Sequence, residues 1–230
     1  MTPPVRHHAV AVSAEALTHQ LARQERSPAG SVIVVDSEIA ARRRGGSEWR
    51  VEDAIAVSVV ARPVALTLTT ADVAWAAVSM AIALTLDRHA GGFHPCWWPD
   101  GVELDSASGL EAAASAVVSL GPGRIDYAIL TARLGPVETI GSRAEVGESL
   151  VEHLRSAATR LDEPSDLLAE YRHRCATLER ELTVTLLPSG SMRGIAHAID
   201  ESFALILRSP TGLRESIPVS QLHTLDALRC

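Results

Sequence analysis

The chain has 230 residues, a formal net charge of −7 and 47% hydrophobic residues, with aromatics only 3% of the whole. That length can bury one sizeable core, or one large domain with a small appendage, and the acidic balance excludes a general attraction to phosphate backbones, so nucleic acid is not an expected partner. All 21 basic residues apart from histidine are arginine, which excludes any mechanism that needs a titratable side-chain amine.

The first ten residues, Met1 to Val10, carry no apolar run behind a basic patch and do not read as a secretory signal. Ala14 to Arg26 places Ala16, Leu17 and Leu21 at helical spacing, and Pro28-Ala29-Gly30 ends that helix before the β-branched run Val32-Ile33-Val34-Val35. An arginine and glycine loop follows, up to Trp49, and then a second strand, Ala54 to Ala61, expected to pair with the first. Val73 to Leu86 is apolar all round and shorter than the roughly 20 residues of a membrane span, so Val73 to His89 reads as a buried helix, capped by Thr70 or Asp72 and stopped by Gly91-Gly92. Asp105 to Gly123 is small, polar and then alanine-rich, without a clear element. Ile125 to Leu134 reads as a strand and Glu145 to Leu161 as an amphipathic helix, giving an α/β or α+β first module.

After Pro164 the pattern changes. A helix over Ser165 to Leu178 leads into four short runs, Leu182 to Leu187, Met192 to Ile199, Phe203 to Arg208 and Arg214 to Val219, separated by turn residues. They predict a small β-barrel or meander of about 50 residues. Cys96, Cys175 and Cys230 are odd in number and widely spaced, which fits reduced thiols in a cytoplasmic protein.

Candidate chemistry lies in two loops. Arg42-Arg43-Arg44-Gly45-Gly46 follows a buried strand, where glycines permit a tight fold and guanidiniums can grip a phosphate or carboxylate bidentately; a solvated charge run is the equal alternative. Trp97-Trp98-Pro99-Asp100 offers flat rings and a carboxylate for a pocket wall, although such pairs more often form core or lid. His7-His8, His89 and His94 lack a matching acidic or cysteine cluster, so no metal site is expected. Ser13, Ser58 and Ser108 lack a nucleophile-elbow context, which leaves a hydrolase unsupported.

Taken in order, these segments resemble the biotin protein ligase family along nearly the whole chain. The family's GRGRxGRxW loop is similar to Ala41-Arg42-Arg43-Arg44-Gly45-Gly46-Ser47-Glu48-Trp49, which keeps Arg42, Arg44, Gly46 and Trp49 in register, and its KWPND is similar to Trp97-Trp98-Pro99-Asp100-Gly101. The resemblance implies an α+β fold, a class II synthetase-like catalytic domain with a mixed sheet over residues 1–164. A linker helix over 165–180 and an SH3-like β-barrel over 181–230 would follow. It implies biotin and ATP with magnesium as substrates, a biotin carrier domain as partner and a possible homodimer. Arg44 takes the catalytic role, with Ser13, Glu38, Arg42, Arg44, Trp49, Trp98 and Asp100 around the ligand.

The departures fall where the chemistry belongs. The lysine expected shortly after KWPND falls at Ser108 or Gly109, and the KWPND lysine itself is Trp97. The glutamine that holds the ureido ring is Glu38, the ligand-binding Ser-Thr-Asn is Ser13-Ala14-Glu15, and GxGxN is Thr131, Arg133 and Gly135. Each lost charge-stabilising group corresponds to about 2–4 kcal/mol in a transition state, so two expectations stand side by side: an adenylating ligase, or a non-catalytic binding paralogue. No front helix-turn-helix is read, so a DNA-binding repressor is not expected.

Overall fold

A computed structural model describes residues 3–24 and 27–227; Glu25, Arg26 and Cys230 of the sequence reading lie outside them. The first module is a five-stranded sheet in the order β1 (Val5–Ala11), β2 (Val32–Glu38), β3 (Ile55–Ala61), β7 (Arg124–Gly135), β6 (Glu111–Gly121). β1 and β2 are parallel and the other pairs antiparallel. The expected pairing of the first two buried strands is present, Val32 opposite Val59.

Alternation along β2 explains the layers. Val32 and Val34 join the cluster beneath helices α2 (Val73–His89) and α3 (Arg143–Arg160), while Ile33 and Val35 pack with Ala14 and Leu21 of helix α1 (Ala14–Gln24) on the opposite face. α2 is buried on nearly every side, as its composition predicts. Its cap differs from expectation: neither Thr70 nor Asp72 caps with a side chain, because the chain enters through a tight turn in which the Thr70 carbonyl accepts from Val73 N–H at 3.0 Å. α3 starts two residues before the expected Glu145, under a capping box between Ser142 and Glu145. Gly147 in α3 lets that helix approach the sheet, since a Cβ there would stand 2.9 Å from Ile55 Cδ1.

Two short strands, β4 (Cys96–Trp97) and β5 (Gly101–Val102), frame the Trp98-Pro99-Asp100 turn, and helix α4 (Pro164–Arg174) leads out of the first module. The second sheet runs β11 (Arg214–Ile217), β10 (Leu205–Arg208), β9 (Ser191–Ile199), β8 (Glu181–Leu186), β12 (Leu222–Ala227), all antiparallel. It has five strands where four were expected, and it is an open antiparallel sheet with β11 and β12 as its edges. One apolar cluster runs through both sheets, from Val32 to Leu222. Among the described residues, no helix is long and apolar enough to cross a membrane.

Candidate functional site

The expected site residues separate into two clusters and one core residue. The first cluster gathers at the start of α1 and the end of β2. Glu38 accepts the Ala14 backbone N–H at 2.6 Å, immediately after Ser13, and Arg133 of β7 donates Nε–H at 2.6 Å and Nη2–H at 3.2 Å to its two oxygens. Both side chains are buried, 5% exposed for Glu38 and 2% for Arg133. Glu15 of the same helix accepts from Ser115 of β6. Arg133, which stands in the segment matched to GxGxN, thus pairs with the residue at the expected glutamine position. Gly135, two residues on, meets the β3 entry so closely that a Cβ would lie 2.7 Å from Ala54 Cα.

Glu38 also lines a cleft of about 590 Å³ together with Trp49, Val35, Asp36, Asp53, Ala56 and Arg143. Trp49 is buried against Ala41 and Ala113, and the Arg43 guanidinium stands 4.8 Å from its ring centroid.

The second cluster is built on Arg44. Its Nη1 donates to the Leu222 carbonyl at 2.6 Å, Nη2 to the His223 carbonyl at 3.5 Å, and Nε lies 3.3 Å from Asp100 Oδ2. The arginine loop is thereby fastened both to the Trp98-Pro99-Asp100 turn and to the edge strand of the second sheet. Burial pushes the Asp100 carboxyl above its ordinary range, and the Arg44 charge opposes that rise. The other loop arginines are engaged as well: Arg42 Nη1 donates to the Gly46 carbonyl at 2.8 Å, and Arg43 pairs with Glu111.

Trp98 stands apart from both clusters. Expected as a pocket wall, it is 0% exposed in the apolar core; its indole Nε1–H donates to the Phe203 carbonyl at 2.9 Å and its backbone N–H to Thr177 Oγ1 at 2.8 Å. Trp97, at the expected lysine position, lies under the Arg180 guanidinium at 5.4 Å. Among the described residues, no group of three or more His, Cys, Asp or Glu is arranged to hold a metal ion.

The carbonyls of Leu222 and His223 and the Glu15–Ser115 contact were missed by sequence reasoning. No local signal marks them, because Arg44 and Leu222 are 178 positions apart and only the packing of the two sheets brings them together.

No protein-family model and no curated protein matches the sequence. Solved structures do match over almost the full length. Biotin protein ligase from Aquifex aeolicus in complex with biotin and ATP superposes with a TM-score of 0.72 at 14% identity, covering 98% of this chain and 99% of that one. Biotin acetyl coenzyme A carboxylase synthetase from Helicobacter pylori with bound biotinylated ATP gives 0.60 at 11% identity, over 93% and 99%. Biotin protein ligase from Leishmania major in complex with biotin gives 0.56 at 12%, over 94% and 99%. The chain therefore has a biotin protein ligase-like fold.

Proposed function

We propose that this chain is a non-catalytic member of the biotin protein ligase fold, which uses the scaffold to bind a protein partner, a biotin carrier domain being the first to try. The observation that carries the reading is the state of Arg44. A residue that grips a phosphate must present free donors to it; here Nη1 and Nη2 are directed at two backbone carbonyls, and a carboxylate stands beside Nε. Without a lysine anywhere, no ammonium is at hand to neutralise charge as a carboxylate attacks a phosphate. The SH3-like assignment of residues 181–230, the domain limits at 164 and 180, and a cytoplasmic location belong to the same proposal.

ATP–pyrophosphate exchange with biotin, lipoate and octanoate tests it. The expected result is no exchange with any acid from protein shown to be folded. Exchange that depends on one acid and is lost in Arg44→Ala would instead establish an adenylating ligase, in which Arg44 acts on the adenylate, Arg42 supports it, and Ser13, Glu38, Trp49 and Asp100 surround an acid other than biotin. The open cleft between Glu38 and Trp49 favours that second reading, with ATP and magnesium as co-substrates.

A further inference from the structure

The cleft of about 590 Å³ beside Glu38 ends at a wall of the protein's own charge. Ala56 and Glu38 line this cleft, and Arg133, the ladder partner of Ala56 on the neighbouring strand, shares the sheet face of Ala56 and reaches Glu38 from outside the lining. From there its guanidinium presents two parallel N–H groups to the Glu38 carboxylate.

As a purely structural element, this arrangement is poor. Two charges are taken out of water at a helix–sheet interface, where apolar side chains of similar volume usually serve as well or better. The pairing also leaves donors over. Arg133 Nη1 is buried without an acceptor, and so is the Thr18 hydroxyl one turn along α1. Orphaned groups of this kind call for an explanation, and a side chain seated in a site shaped for something else supplies one.

We infer that Arg133 is a built-in partner that closes the inner end of this cleft: its guanidinium occupies both oxygens of the lining Glu38, where a planar N–H-bearing group would otherwise meet that carboxylate. Truncating it opens a deeper site for a guanidinium or amidinium cation. The inference rests on the non-catalytic reading, since a filled inner end leaves no room there for a substrate.

Arg133→Gly tests it by thermal denaturation with guanidinium and methylguanidinium chloride, far below denaturing concentrations. The variant melts below wild type. Its Tm rises by about 3–6 °C once the cation is at roughly ten times its dissociation constant, while wild type does not move. The double variant Glu38→Gln/Arg133→Gly keeps the cavity but has no carboxylate, and it too stays unmoved, an outcome that generic stabilisation by the salt would not give. If Arg133→Gly does not fold alone, refolding in methylguanidinium restores its far-UV circular dichroism. Failure of both rescues, or equal shifts in all three proteins, overturns the inference. Acid-dependent pyrophosphate exchange by wild type would sink the non-catalytic reading instead, whatever the rescue shows.

Discussion

The seam between the two sheets and the cleft end of the first sheet differ in what they bury: aromatic rings at the one, an ion pair at the other. At the seam, both N–H groups of Trp98 find acceptors and the ring packs into a cluster in which Tyr171 and Phe203 meet edge to face at 5.0 Å. At the cleft end, charge is buried against charge with a donor left over on Arg133, whereas the orphans beside the seam, Arg44 Nε and the Tyr171 hydroxyl, lie next to a carboxylate and in the aromatic cluster. The frame of the fold is built for packing, and the site end for internal neutralisation. A chain that still handled an anionic ligand would need the reverse at the cleft.

The sharpest way to break this contrast is to damage the seam. Trp98→Ala removes a fully buried ring that ties the turn before β5 to the second sheet; it is expected to cost about 3–5 kcal/mol, lowering Tm on the order of 10 °C in calorimetry. A smaller loss than that from any cleft variant would invert the comparison.

Next comes the ion pair. Glu38→Met leaves Arg133 buried and uncompensated, and Arg133→Leu does the same to Glu38, each at about 3 kcal/mol, whereas the double variant Glu38→Met/Arg133→Leu is expected within about 1 kcal/mol of wild type. Urea titrations of the two singles and the double close the cycle. A double variant as unstable as the singles would mean that the pair holds the sheet and α1 together, and that the cleft end is frame after all.

The two regions also differed in how far the sequence announced them. β2, β3 and β7 are continuous β-branched and aliphatic runs, and α2 is bounded by glycines at positive φ, 75° and 84° for Gly91 and Gly92, so periodicity and punctuation sufficed. β6 was not legible, because Ala112-Ala113-Ala114-Ser115-Ala116 has no strand propensity of its own and is held extended by its ladder to β7. β1 was hidden for a related reason: an edge strand containing His7 and His8 is mostly exposed and shows no apolar alternation. β12 is fixed by pairing with β8, some forty positions earlier. At the site, the residue types were readable, but their partners were not. Arg44 reads equally as a phosphate grip or a surface charge until Leu222 and Asp100 are placed beside it, and Trp98 reads as wall or core until its burial is known.

Arg44→Ala gives a smaller effect that separates the loop from the frame. Losing its hydrogen bonds to β12 costs about 2 kcal/mol, read as a lower urea midpoint, and frees the loop from the second sheet. Tryptic cleavage after Arg42 and Arg43 is expected to accelerate at least as much as the global stability loss allows. Cleavage no faster than in wild type would show the loop held by Arg43–Glu111 and the Trp49 packing alone.

The smallest expected effect lies on the frame side, between α2 and α3, and its sign runs against that of Asp100. Thr85 donates its hydroxyl to the Ala81 carbonyl at 2.9 Å and so accepts from His153 Nδ1–H at 2.9 Å, which selects the Nδ1–H tautomer of the neutral ring. Burial, with Arg88 adding repulsion, holds His153 below its ordinary value of 6.5. The unfolded chain therefore takes up this proton first. The stability His153 contributes is complete above 6.5 and is lost as pH falls from there through the lowered folded value. Asp100 acts in the other direction, because its carboxyl is raised by burial above 3.8: the folded protein protonates first, and stability is regained at that group as pH falls through the raised value towards 3.8. Urea midpoints measured from about pH 8 to pH 5 should decline below the histidine range in wild type and decline less in His153→Gln. An unchanged slope in that variant would move the acid sensitivity away from the α2–α3 packing and towards the charged cleft.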